Sequence, residues 1–263
     1  MQQIDFYMID AFSSATFGGN PAAVCPLDQW LPDELMQKMA KQHNLSETAF
    51  FVPNDDGFEL RWFTTQSEIN LCGHATLATA HVIFEHLNYP HDTIHFTTKF
   101  VGPLTVTRDN SWLILDFPAW LSQPVQPPVL LTECLGINDY EEVRAARDYM
   151  VVLENQQQVE AICPDIHAMK QLEKMVCVTA PGDGKYDFVS RFFCPSDGVQ
   201  EDPVTGSAHS MLIPYWAEKL GKTKLLAYQK SERGGELRCQ FTHDRVLIGG
   251  EAKTYLVGKI WLE

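Results

Sequence analysis

The sequence predicts an α+β protein made of two halves, each consisting mostly of strands around one buried helix. Two segments, residues 74–87 and 204–220, are apolar on nearly every side, which is typical of helices inside a protein. Short segments rich in β-branched and aromatic residues precede and follow both of them. A proline-rich polar segment at 117–128 separates the halves and is the best candidate for a linker.

In the first half, the alternating residues 4–12 predict a strand. Residues 32–43 predict a helix, because Pro32 suits an early helical position and Asp33 and Glu34 favour the positive end of the helix dipole. β-Rich composition predicts the other strands of this half, at 22–25, 48–52, 58–64, 93–98, 102–107 and 112–117.

In the second half, the helix at 204–220 should end at Gly221, a natural helix stop. Pro214 lies inside it and is expected to kink or split it. Strands are predicted at 149–153, 175–179, 188–193, 224–229, 237–242, 245–248 and 254–262. We therefore expect domains at 1–118 and 128–263, with the last strand a candidate to return to the first domain.

Composition and missing motifs exclude several classes of function. The net charge of −14 argues against a nucleic-acid-binding face. No apolar stretch approaches membrane-spanning length, the first residues lack a signal-peptide pattern, and the seven dispersed cysteines suit a reducing compartment, so a cytoplasmic protein is expected. Dinucleotide, Walker, zinc-protease and serine-hydrolase motifs are missing. His74 and His81 are too far apart to share an ion alone, and we expect no metal.

The two buried helices start alike. Leu71-Cys-Gly-His-Ala75 and Val204-Thr-Gly-Ser-Ala208 align on Gly73 and Gly206, which suggests an internal duplication. The first N–H groups of a helix are unpaired and carry partial positive charge, so two such starts could hold an anion without Lys or Arg. The alternative is that both glycines only ease helix–sheet packing.

Four side chains are candidates for chemistry, each with a plainer alternative. Glu47 lies between a helix and an aromatic strand and could act as a general base, or it could be a surface loop residue. Asp202 precedes the second buried helix as a titratable group or only as a cap. His74 could pass a proton or only bond to backbone. Cys72 could be an activated thiolate or a buried structural cysteine.

Six blocks taken together resemble the PhzF-like family, named for a phenazine-biosynthesis isomerase, over essentially the whole chain. The blocks are Gly19-Asn-Pro-Ala-Ala-Val24, Asn44-Leu-Ser-Glu-Thr-Ala-Phe50, Arg61-Trp-Phe-Thr64, Glu68-Ile-Asn-Leu-Cys-Gly-His-Ala-Thr-Leu-Ala78, Ser190-Arg-Phe-Phe193 and Gly198-Val-Gln-Glu-Asp-Pro-Val-Thr-Gly-Ser-Ala-His209.

The resemblance implies a fold like diaminopimelate epimerase: two similar β-barrel-like domains, each wrapped around a central helix, with the site in the cleft between them. It also implies no cofactor, a small carboxylate-bearing substrate and often a homodimer. Glu47 stands at the position implied to move the proton, and His74, Asp202 and Ser207 stand at positions implied to line the same cleft. We therefore expect Glu47, His74 and Asp202 to be catalytic. Substrate binding is expected from Asn20, Cys72, Gly73, Gly206 and Ser207.

One position departs from the related epimerases, which use a cysteine at the start of each buried helix as acid and base. Here Cys72 occupies the first position and Thr205 the second, which argues against a two-thiol mechanism. The expected function is thus a cofactor-independent isomerase that moves a proton on a small carboxylate-bearing, amino-acid-like substrate, a class that includes cyclic molecules. Two alternatives stay open: a racemase or epimerase that pairs Cys72 with an acidic residue, and a non-catalytic binding protein.

Overall fold

The chain forms two compact units in a computed structural model that describes residues 2–263, apart from the side chain of Asp197. The first unit runs as far as Asp116 and includes the C-terminal segment Gly249–Glu263, and the second is Phe117–Ile248. The proline-rich segment assigned to a linker therefore lies in the second unit. The last strand lies in the first.

Strands make up most of the regular structure in both units. The strands are β1 Gln2–Ala11, β2 Asn20–Pro26, β3 Glu47–Asn54, β4 Gly57–Phe63, β5 Glu68–Ile69, β6 Thr93–Thr98, β7 Leu104–Asp109, β8 Trp112–Pro118, β9 Gln123–Pro124, β10 Glu142–Ala145, β11 Tyr149–Val152, β12 Val176–Pro181, β13 Phe188–Cys194, β14 Val199–Asp202, β15 Lys224–Gln229, β16 Gly235–Thr242, β17 Arg245–Gly250 and β18 Ala252–Leu262. The helices are α1 Asp33–His43, α2 Gly73–Glu85, α3 Val129–Leu135, α4 Gln156–Ala161, α5 Ile166–Met169 and α6 Gly206–Leu220.

Both units repeat one pattern of strand pairing. In the first unit, β2 is parallel to β3, β3 is antiparallel to β4, and β4 is parallel to β6 and antiparallel to β5. In the second unit, β11, β12, β13, β15 and β14 pair in the same order and with the same directions. The α+β fold class with two similar strand-rich units, each with a buried helix, is confirmed.

An arginine–glutamate pair joins the equivalent short strand to each sheet. Arg61 on β4 donates to both carboxylate oxygens of Glu68 on β5, at 2.6 and 2.8 Å. Arg191 on β13 donates likewise to Glu201 on β14, at 2.8 and 2.9 Å. Such bidentate, charge-assisted bonds are strong and directional. Each glutamate lies shortly before a buried helix, so each pair fixes the chain that leads into that helix.

The α2 helix is buried on every side, as its composition predicts. Its small residues Ala75, Ala78 and Ala80 are fully buried and allow strands to pack closely on all faces. Its two buried threonines satisfy their hydroxyls locally: Thr76 Oγ1 donates to the Cys72 carbonyl at 2.5 Å and Thr79 Oγ1 to the Ala75 carbonyl at 2.7 Å.

The α6 helix is also buried and stays continuous through Pro214. Proline has no N–H, so the Ser210 carbonyl four residues earlier loses its helical partner. The backbone N–H of Trp120 donates to that carbonyl at 2.9 Å. The proline-rich segment is thus held against the helix, and it is held again where β9 pairs with β10. These contacts explain why this segment is part of the second unit.

Both buried helices differ slightly from the bounds that the sequence predicts. The first, expected at 74–87, ends at Glu85. The second, expected to begin at residue 204, begins at Gly206, because Thr205 is extended, with φ −108° and ψ 91°. No helix among residues 2–263 is long and apolar enough to cross a membrane.

Replacement of Arg61 should destabilise the first unit. Arg61→Met leaves the mostly buried Glu68 carboxylate with Lys99 as its remaining cationic partner, and we expect the free energy of unfolding to fall by about 2 kcal/mol in urea titrations. The control is Lys259→Met, which removes an exposed ion pair with Asp5 and should cost less than about 1 kcal/mol. Equal losses in the two variants would contradict a structural role for the buried pair.

Candidate active site

Glu47 begins β3 immediately after the turn that ends α1. Asn44 ends that helix in the left-handed region, with φ 52°, and reverses the chain toward the strand. Parallel pairing of β2 with β3 sets Ala22 against Glu47 and so fixes where the strand begins. The Glu47 side chain is only 15 % exposed. The open-surface alternative for this residue is therefore wrong.

His74 lies at the start of α2 between two partners. Its Nε2 atom is 3.0 Å from Glu47 Oε2, and its Nδ1 atom is 3.1 Å from the Asn20 amide nitrogen. An amide nitrogen can only donate, so Nδ1 accepts and the proton of the neutral ring lies on Nε2, beside the carboxylate. Cys72 Sγ is 3.5 Å from Nδ1. Four residues expected from the sequence thus meet within the first unit.

The electrostatics of this group favour proton transfer between Glu47 and His74. Burial disfavours the charged imidazolium, but Cys72 and Glu47 outweigh burial and hold the pKa of His74 well above its usual range. Burial and the Glu47 charge raise the pKa of the Cys72 thiol to about 11. At neutral pH the cysteine is therefore a thiol, and the raised pKa of His74 favours a proton on the ring nitrogen that faces the carboxylate.

The first turn of α2 provides backbone donors beside these side chains. Cys72 occupies the N-cap position in an extended conformation, and its side chain does not cap the helix. The N–H groups at Gly73 and His74 carry the partial positive charge of the helix start. An anion such as a carboxylate would be stabilised here without any basic side chain.

Within the second unit, Asp202 ends β14 and Thr205 is the N-cap of α6. The Thr205 hydroxyl does not cap the helix but donates to Asp202 Oδ2 at 2.6 Å. Gly206 and Ser207 form the first turn, and both are buried. The N-cap position therefore belongs to Thr205 and not to Asp202. Joint action of Asp202, Gly206 and Ser207 with the first-unit residues stays a prediction.

Two side chains near Asp202 were missed by sequence reasoning. Gln229, at the end of β15, is fully buried and bonds to both Asp202 and Thr205. His209 is fully buried on α6, and its Nδ1 bonds to the Thr205 carbonyl at 2.9 Å. Burial lowers the pKa of His209 to about 4, so this ring is neutral. His209 is the last residue of a family block, whereas no sequence signal points to Gln229.

Glu47, Cys72 and His74 also offer a carboxylate, a sulfur and an imidazole whose ligand atoms lie within 4.8 Å of one another. Zn²⁺ accepts such donors, but only when the thiol has lost its proton. The spacing of the histidines in the sequence could not reveal this set, and the expectation of no metal stays a prediction.

Comparison with known proteins gives the family. The chain matches the family described as phenazine biosynthesis-like protein over residues 9–258. It belongs to that family. Two uncharacterized isomerases of Pseudomonas aeruginosa are 47 % and 49 % identical to it over 261 residues, and each match covers 99 % of this chain and at least 99 % of the relative.

Solved structures of the family share the fold. The crystal structure of a phenazine biosynthesis protein of the PhzF family from Enterococcus faecalis has a TM-score of 0.95 and 46 % identity, covering 99 % of this chain and 100 % of that one. A hydroxyproline epimerase from Agrobacterium vitis, solved with trans-4-hydroxy-L-proline, has a TM-score of 0.61 and 10 % identity over 98 % of this chain and 92 % of that one. The epimerase-like fold of this family member is thus confirmed.

Alkylation should show that Cys72 is a protonated, protected thiol. With a pKa of about 11, roughly one molecule in a thousand carries the thiolate at pH 8. Iodoacetamide at pH 8 should therefore modify the exposed Cys163 at least about 100-fold faster than Cys72, as measured by peptide mass spectrometry. Comparable rates at the two cysteines would mean that Cys72 is an activated thiolate.

Proposed function

We propose that this protein is a cofactor-independent isomerase that moves a proton on a small, carboxylate-bearing, amino-acid-like substrate, with cyclic molecules the favoured class. The contact of 3.0 Å between Glu47 Oε2 and His74 Nε2 carries the proposal. It couples a carboxylate to a buried imidazole beside the uncapped start of a helix. The isomerase names of the relatives support the reaction class.

Glu47 is the general base in this proposal. Its carboxylate takes a proton from a substrate carbon and returns a proton to another carbon of the same molecule, so no bond to the enzyme forms. His74 holds the carboxylate through a proton on Nε2, which its raised pKa favours, while Glu47 carries the substrate proton between the two steps. Asn20 keeps the ring oriented through Nδ1.

The start of α2 stabilises the charge that proton removal creates. When a carbon next to a carboxylate or a conjugated acid loses its proton, negative charge spreads onto the substrate oxygens. The amides at Gly73 and His74 are donors fixed by the helix, and they need no reorganisation when that charge develops. The same donors would bind the substrate carboxylate in the ground state.

Asp202, Gly206 and Ser207 belong to the proposal as well. Asp202 is proposed to position or relay a proton, and the amides at Gly206 and Ser207 to bind the substrate. The support is the second uncapped helix start, where the Thr205 hydroxyl is turned to Asp202. The cytoplasmic location and the homodimer are sequence-based predictions that gel filtration and fractionation can test.

A substrate can be sought by measuring the exchange of carbon-bound hydrogens for deuterium. A panel of cyclic and aromatic amino acids and hydroxy acids, incubated with the protein in deuterated water, reports exchange by proton NMR. Exchange of one carbon-bound hydrogen, with the appearance of a positional isomer, is the expected result. Binding without exchange over the whole panel would favour the alternative of a non-catalytic binding protein.

Glu47→Gln should lower turnover by about 10²–10⁴-fold, because the amide keeps the size of the side chain but cannot accept the substrate proton. The fold and ligand affinity should change little. The measurement is the rate of deuterium incorporation together with the thermal melting temperature. The control, Glu34→Gln, alters an exposed glutamate on α1 and should keep the wild-type rate. Full activity of Glu47→Gln would remove the general base from the proposal.

Cys72→Ala separates the proposed isomerase from the racemase alternative. The Cys72 sulfur lies 3.5 Å from His74 Nδ1 and is close enough to take part in chemistry. Because its pKa is raised to about 11, we expect Cys72→Ala to keep proton transfer within about tenfold of wild type. Loss of deuterium incorporation at a stereocentre in this variant, with Glu47 intact, would favour the racemase.

A further inference from the structure

The amide of Gln229 is fully buried and bonds to both ends of the segment from Asp202 to Thr205. Its Oε1 accepts from the Thr205 backbone N–H at 2.8 Å, and its Nε2 donates to the Asp202 carbonyl at 2.7 Å. Nε2 also lies 3.2 Å from Thr205 Oγ1. A backbone N–H can only donate and a carbonyl can only accept, so these two bonds settle which end of the amide is oxygen.

The same logic gives the direction of the next bond. Because Gln229 Nε2 can only donate, Thr205 Oγ1 accepts from it. The hydroxyl hydrogen of Thr205 is then left for Asp202 Oδ2, 2.6 Å away. Two successive hydrogen bonds, from Gln229 Nε2 to Thr205 Oγ1 and from Thr205 Oγ1 to Asp202 Oδ2, thus run in one direction and end at the carboxylate. A short bond from a hydroxyl to a carboxylate is among the stronger and more directional hydrogen bonds in proteins.

Hydrogen bonds also fix the backbone around Asp202 and Thr205. Ser231 Oγ donates to the Pro203 carbonyl at 2.6 Å and accepts from the Gly234 N–H at 3.0 Å. His209 Nδ1 bonds to the Thr205 carbonyl at 2.9 Å from the helix side. Thr205 is thus held at its N–H, its carbonyl and its hydroxyl. Its hydroxyl cannot turn to cap α6 without losing Asp202.

We propose that Gln229 and Thr205 are positioning residues that orient the Asp202 carboxylate for the reaction without touching the substrate. The inference rests on the proposed function, because it assumes that Asp202 takes part in turnover. The Thr205 hydroxyl thus supports an acid–base group rather than acting as one.

An NMR experiment without ligand tests directly whether the Thr205 hydroxyl stabilises the Asp202 carboxylate. The side-chain carboxyl ¹³C signal of Asp202 is assigned by its loss in Asp202→Asn and followed against pH. Thr205→Val keeps the shape of the side chain but removes the donor, and it should raise the pH midpoint of Asp202 by about one unit. Thr205→Ser keeps the donor and should restore the wild-type midpoint. Equal midpoints in wild type and Thr205→Val would overturn the proposal.

The kinetic arm uses the substrate found by deuterium exchange. Thr205→Val should lower kcat by about 10- to 100-fold with little change in KM, and Thr205→Ser should recover most of it. Gln229→Glu replaces the donor that faces the Asp202 carbonyl with a carboxylate oxygen, which can donate only when it is protonated. The kcat of this variant relative to wild type should therefore rise as pH falls. Gln171→Glu, at an exposed glutamine, is the control with no such pH effect.

The outcomes separate this inference from the proposed function. Suppose that Asp202→Asn is fully active while Thr205→Val still shifts the pH midpoint of Asp202. Asp202 then takes no part in turnover, and the proposal that it is positioned for catalysis is refuted. If Asp202→Asn is inactive while Thr205→Val and Gln229→Glu keep the wild-type kcat and pH profile, the proposed function stands and the positioning role is refuted. Melting temperatures of all variants confirm that the comparison is between folded proteins.

Discussion

Two buried helices begin at positions that are fixed by ion pairs on the strands ahead of them, and the candidate site depends on this constraint. Arg61 with Glu68, and Arg191 with Glu201, tie a short strand to the sheet immediately before α2 and α6. A helix start inside a protein exposes backbone donors that must be satisfied or used. Rigid strands ahead of it hold those donors in one place, which a binding site requires.

The two units share a scaffold but differ in the side chains at the starts of their buried helices. In both, the carbonyl of the N-cap residue accepts a side chain from four residues later: Thr76 bonds to Cys72, and His209 bonds to Thr205. The first unit adds a carboxylate and an imidazole in contact, whereas the second adds a carboxylate fixed by a hydroxyl. The two helix starts occupy equivalent positions in the repeated pattern of strand pairing, and they carry different side chains.

Cys72 and His74, the two neighbours of Glu47 in the first unit, differ in what sets their protonation. The Cys72 thiol is kept protonated by burial and by Glu47, whereas the pKa of His74 is raised by Cys72 and Glu47 against the effect of burial. For His74 the sign is that of a group stabilised when charged: its contribution to folding stability is present below its unfolded pKa and is lost as pH rises through the folded pKa. The Glu47 carboxylate thus raises the pKa of both neighbours, which disfavours the Cys72 thiolate and favours a protonated His74.

The sequence by itself determined the fold class, the two buried helices and the residues Glu47, Cys72 and His74, because all-round apolar segments and local motifs are written along the chain. Tertiary structure alone decided that the proline-rich segment packs on α6, since Pro214 frees a carbonyl that only a distant N–H can reach. It also decided the contacts of Gln229, because parallel pairing of β15 with β13 brings this residue to Asp202, which lies far from it in sequence. Hydrogen-bond direction depends on which donors and acceptors meet in space, and spacing along the chain does not record it.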